Sequence, residues 1–129
     1  MLPFTAKFAV VVARQGLLGF NNQTPRDTDW DAVFGAGSPR SELVKRLTAA
    51  HLNGWEAMAA FVPGVLLCVA AGAPVQDAEP HVTRFLFLRL AYDVAYATGA
   101  SSPISWVRTA VWVASLGELA ALYSLAGSR

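Results

Sequence analysis

Apolar residues fall into four blocks along this chain, separated by segments that carry most of its charge. The clearest block, residues 57–75, contains no charged side chain. Its length approaches the roughly 20 residues that a helix needs to cross a bilayer. Pro63 and Gly64 lie inside it, and membrane helices tolerate both better than soluble helices do. A third block covers about residues 82–97, and a fourth about 106–126, interrupted only by Arg108 and Glu118. The first, residues 2–20, has a short uncharged core because Lys7 and Arg14 break it. The pattern predicts an all-α integral membrane protein, an up-and-down four-helix bundle in a single domain over residues 1–129. Its helices are expected at about 2–20, 43–73, 80–98 and 106–126, with the first one short.

The connections differ in character. Residues 21–45 read as a long polar loop with Pro25, Gly35, Gly37 and Pro39, and Trp30 within it has no assigned role. Residues 74–81 form a turn region with Pro74 and Pro80, and 99–105 form an uncharged one with Pro103. Arg14, Arg26, Arg40, Lys45 and Arg46 gather around the first loop, and Arg108 stands beside the third. With four spans these two loops share one face, which the excess of Lys and Arg assigns to the cytoplasm or its equivalent. The expected location is multi-pass, in a bacterial inner membrane or an organellar or endoplasmic membrane. Trp55 and Trp106 fall near the predicted interfaces, where amphipathic rings settle.

Composition narrows the class further. The chain is 54% hydrophobic and 15% charged, against roughly 25% charged for an ordinary soluble domain. A net charge of +1 without a basic cluster argues against nucleic acid as a partner. The single cysteine, Cys68, cannot form an intrachain disulfide and reads as a small buried hydrophobe. No metal-ligand spacing, internal repeat or cleavable signal pattern stands out. Nor are there the paired broken helices of a transporter.

Two polar stripes interrupt the apolar blocks. Arg46 and Asn53 share a helical face, with Glu56 one turn beyond Asn53. Further on, Arg89, Tyr92, Asp93 and Tyr96 fall within an arc of roughly 100°. Ionisable groups at membrane depth are expensive, about 2.5–3.5 kcal/mol each on insertion scales, and face a bundle interior. A Glu56–Arg89 ion pair is therefore expected, with Asp93 as a second partner for Arg89 at i,i+4. Such stripes serve either as interhelical glue or as a ligand site, and the residues alone leave both open. His51 is offset from the Asn53 face and reads as interfacial. Glu118 has no partner that the sequence identifies.

The run Arg46-x4-His51-x-Asn53-x2-Glu56 entering a long apolar helix resembles the MAPEG family, membrane-associated proteins in eicosanoid and glutathione metabolism. Arg89-x2-Tyr92-x3-Tyr96 and then Arg108-Thr109-x2-Trp112 are similar to that family's third and fourth helices. The stretch from Asn21 to Asp27 resembles short bacterial members, and the likeness covers about residues 17–115. It implies four transmembrane helices per subunit, a homotrimer embedded in membrane lipids, and glutathione held between neighbouring subunits. On this resemblance Asn53 and Glu56 would hold the peptide part of glutathione, with Arg89, Tyr92 and Tyr96 lining the site. Arg108 and Thr109 would take the catalytic positions beside the sulfur. The implied activity is that of a glutathione transferase or peroxidase acting on lipophilic electrophiles or hydroperoxides. Ala49 and Leu52 stand where glutathione-binding members commonly carry arginine. That substitution points to the alternative, a non-catalytic accessory subunit of a larger membrane complex.

Overall fold

The computed structural model describes residues 29–99 and 101–128, so the expected helix at about 2–20 lies outside the described residues. Four helices follow in order: α1 (Trp30–Phe34), α2 (Pro39–Ala70), α3 (Val75–Thr98) and α4 (Ser102–Gly127). Among the described residues the secondary structure is entirely helical, as the apolar pattern predicts. The three long helices begin four or five residues before their expected starts. Helix α2 draws on Pro39 at its first position and on the Ser38 hydroxyl, which accepts from the Ser41 amide at 3.2 Å. Proline at a helix start has no N–H to leave unsatisfied, and a serine cap satisfies one that remains.

The described residues divide into two compact units, the first ending at Asn53 and the second beginning at Gly54, inside α2. In the first unit, the expected polar loop contains a helix. Asp29 caps α1, its carboxylate accepting from the Asp31 and Ala32 amides at 3.0 and 3.2 Å. Trp30 and Phe34, one turn apart, stack with ring centroids 6.3 Å apart. The polar side of α1 is tied to α2: Asp31 accepts from the Ser41 hydroxyl at 2.6 Å and from Lys45 Nζ at 2.7 Å. Ser41 is fully buried.

The Lys45 ammonium, and after it the Ser41 hydroxyl, hold the Asp31 carboxyl below its ordinary value of 3.8. Its folded value is therefore lower than its unfolded one. The tether's contribution is complete above about 3.8 and is lost as pH falls through the lowered value. Lys45→Met is expected to bring the Asp31 midpoint back up, as followed by NMR of the carboxyl carbon. A midpoint that does not move would remove Lys45 as the cause.

In the second unit, α3 and α4 pack as an antiparallel pair joined by a short turn, and the C-terminal part of α2 closes the core. Phe61, Cys68, Phe85, Leu119 and Leu122 form that core. Phe61 and Phe85 stack almost parallel, with centroids 4.3 Å apart. The Cys68 thiol donates to the Leu122 carbonyl at 3.2 Å, consistent with a small buried hydrophobe rather than a reactive group. At Gly64 a Cβ would come within 3.2 Å of the Tyr123 ring, so the missing side chain lets that ring lie against α2. The Tyr123 hydroxyl then donates to the Ala60 carbonyl at 2.9 Å, close to Pro63, where α2 lacks one backbone donor.

Helices α2 and α4 are each long and apolar enough to cross a membrane. Only 17% of the apolar window of either helix is buried within the protein, whereas the core helix of a soluble protein would be mostly covered. Leu66, Val69, Phe87, Val94, Trp106 and Val113 are among the large apolar side chains left exposed. Apolar area on this scale marks a surface meant for lipid or protein rather than water.

Candidate functional site

The polar stripe on α3 keeps its polar groups inward. Arg89 and Tyr92 are only 4% and 6% exposed, and Tyr96 is partly buried. Their spacing of three and four residues places them on one helical face, as the periodicity predicts. The Arg89 guanidinium lies over the Tyr92 ring, 4.4 Å from its centroid. Tyr92 meets Tyr96 at 5.0 Å with the rings tilted by 57°. Across the helix pair, Arg108 near the start of α4 lies over the Tyr96 ring at 4.3 Å. The four side chains form a ladder, Arg89–Tyr92–Tyr96–Arg108, with a cation at each end.

Each cation–π contact is worth about 0.5–2 kcal/mol, with the upper end reached where water is excluded. A guanidinium carries five N–H donors in its own plane, and those that the protein does not engage can meet an anion. Arg108 is partly buried, so its charge acts in a medium less screening than water. Asp93 lies one turn from Arg89 on the same helix and is partly buried. The arrangement can therefore hold and stabilise a small anion at the turn between α3 and α4.

The other expected site residues are placed differently. Thr109 is exposed, and its hydroxyl donates to the Ser105 carbonyl of its own helix at 3.1 Å. Glu56 is exposed, and among the described residues it makes no ion pair with Arg89. Matching depth along two helices does not fix direction around them, and Glu56 lies on the outer side of α2. Asn53, three residues earlier on the same helix, is partly buried and belongs to the first unit, as does His51.

A second polar cluster occupies the same helix pair. Glu118 Oε2 lies 2.6 Å from His81 Nδ1, and Oε1 lies 3.0 Å from Arg84 Nε. Arg84 Nη2 is in turn 3.1 Å from His81 Nδ1. The glutamate that lacked a partner in the sequence thus has two, both on α3. Moving ten residues along α4 from Arg108 reaches Glu118, and moving ten back along α3 from Tyr96 reaches Leu86, close to Arg84. Without these partners a carboxylate there would cost about 2.5–3.5 kcal/mol in hydrocarbon.

Comparison with known proteins identifies the chain at family level. The MAPEG family model matches residues 3–128, nearly the whole length. No curated protein and no solved structure gives a match. The matched range includes α1 to α4, the ladder and the His81–Arg84–Glu118 cluster, and on that coverage the chain belongs to the MAPEG family.

Proposed function

We propose that this protein is a multi-pass membrane enzyme, a glutathione-dependent transferase or peroxidase that uses Arg108 to activate the thiol. The observation that carries this reading is the Arg108 guanidinium held over Tyr96, 4.3 Å from the ring centroid. A thiol of pKa about 8.5 is mostly protonated at neutral pH, and an adjacent guanidinium favours the thiolate. Arginine takes no proton itself. The thiol proton passes to solvent, and the arginine stabilises the sulfur anion left behind. That anion then attacks an electrophilic carbon, forming a C–S bond as the leaving group departs, or the outer oxygen of a hydroperoxide. The second attack breaks the O–O bond to give a sulfenic acid and an alcohol, after which a second glutathione yields the disulfide and water.

Arg89, Tyr92 and Tyr96 line the site in this reading, Asn53 and Glu56 bind the peptide part of glutathione, and Thr109 stands beside Arg108. The exposure of Glu56 fits a homotrimer in which glutathione lies between neighbouring subunits. The α3–α4 turn faces the cytoplasm or its equivalent. Detergent-solubilised protein is expected to gain thermal stability with millimolar glutathione. A ligand at 100 times its dissociation constant stabilises by about 2.7 kcal/mol. No shift at any attainable concentration would end the glutathione reading.

A specific observation supports a second reading. Ala49 and Leu52 occupy positions where glutathione-binding relatives carry arginine, and Leu52 is 58% exposed. Bidentate carboxylate anchors are absent there, and neither side chain can replace them. On that reading the chain is a non-catalytic accessory subunit whose exposed apolar faces pack in a larger membrane complex. Native mass spectrometry after gentle solubilisation separates the two: a homotrimer alone supports the enzyme, and persistent foreign subunits support the accessory role.

A further inference from the structure

We propose that His81, Arg84 and Glu118 form a register lock that positions Arg108 over Tyr96; the inference builds on the reading of Arg108 as the thiol-activating group. Both carboxylate oxygens of Glu118 are used, one by His81 at 2.6 Å and the other by Arg84 at 3.0 Å. His81 and Arg84 are one turn apart on α3, so the two contacts together oppose sliding of α4 along α3. The Glu118 side chain is 19% exposed and is the sole acidic group on α4.

These polar contacts add to the apolar packing of Leu119 and Leu122 of α4 against Phe61 and Phe85. The segment between Arg108 and Glu118 contains Ala110, Ala114, Ser115 and Gly117, small residues that offer shallow steric detents. Buried Ser115 turns its hydroxyl to the Trp112 carbonyl of its own helix, at 2.7 Å. Ten residues separate Arg108 from Glu118, a rise of about 15 Å along one rigid helix. A shift of one turn at the lock would therefore carry Arg108 roughly 5.4 Å along α3. That exceeds the 4.3 Å from the guanidinium to the Tyr96 centroid, so the stack and the site built on it would be lost. The three residues are positioning residues: they need not touch glutathione.

Two readouts on the full-length protein in detergent test this. The first is independent of glutathione. Spin labels at Gln76 and Ala110, both exposed, report the register of α3 against α4 in a Cys68→Ala background. A single narrow distance is expected for the parent, and a shift or broadening of about 5 Å for Glu118→Ala. The charge-reversed pair Arg84→Glu with Glu118→Arg is expected to restore the narrow distance. The second readout is thiolate yield at saturating glutathione, followed by ultraviolet absorbance. It is expected to fall at least about fivefold in Glu118→Ala, to change less than about threefold in glutathione Kd, and to recover on charge reversal. A general loss of structure would lower binding and yield together and would not be rescued by reversal. If Glu118→Ala does not fold, Glu118→Gln retains the volume and a contact to His81 while removing the charge partner of Arg84. An unchanged distance in both variants overturns the lock. A parent protein that forms no thiolate overturns the glutathione reading instead, and the distance measurement then decides the lock alone.

Discussion

Arg108→Ala is expected to lower kcat/KM for glutathione conjugation by about 10²–10³-fold, equivalent to roughly 2.7–4 kcal/mol of lost transition-state stabilisation. The side chain is partly buried and stacks on Tyr96, so its removal exposes one ring face but leaves the Phe61–Phe85 core untouched. Thermal stability should therefore fall by little more than one cation–π contact. Arg108→Lys keeps a charge but loses the planar donor array and the face-on stack. Its activity is expected between those of the parent and the alanine variant. On the proposed mechanism the guanidinium acts on the sulfur anion, so thiolate yield should fall in the same order as turnover. Glutathione affinity, which also draws on the rest of the pocket, should fall less. Conjugation that continues at the parental rate in Arg108→Ala would remove this residue from the chemistry.

The ladder was partly legible before any coordinates. Arg89, Tyr92 and Tyr96 recur at helical spacing in an otherwise apolar segment, and the structure buries the first two and partly buries the third. The match of Arg108 to Tyr96 follows from the short turn that joins α3 to α4. What periodicity cannot supply is direction around a helix. Glu56 and Arg89 were expected to pair because they lie at a similar depth, yet Glu56 is exposed. Long-range register is equally hard to see. His81 and Glu118 are 37 positions apart in sequence, and their contact depends on how the antiparallel pair is aligned. Helix α1 escaped notice for a simpler reason: five residues are too few to display a 3.6-residue period. Asp29, Trp30 and Phe34 hold it together through a cap and an aromatic pair, which leave only a faint mark in a polar segment.

Those two limits converge on Phe85, whose replacement should have the largest effect on folding. Phe85 is fully buried, stacks on Phe61 from α2, and shares a core with Leu119 and Leu122 from α4. It is therefore the point at which three helices meet in the second unit. Phe85→Ala is expected to cost about 3–5 kcal/mol, from lost contacts together with a cavity that cannot fully collapse. Tight packing carries more of the burden here than in a soluble protein, because lipid chains are as apolar as the side chains they replace. Phe85→Leu fills most of the volume and should cost clearly less. Reversible unfolding in mixed detergent micelles measures both, and the ladder provides an internal check. Phe85 lies one turn before Arg89 on α3, so collapse into the alanine cavity would tilt that helix and weaken the Arg108–Tyr96 contact. Thiolate yield should then drop in Phe85→Ala even under conditions where the protein remains folded. A variant that loses neither stability nor thiolate would show that the three helices are held together by something other than this core.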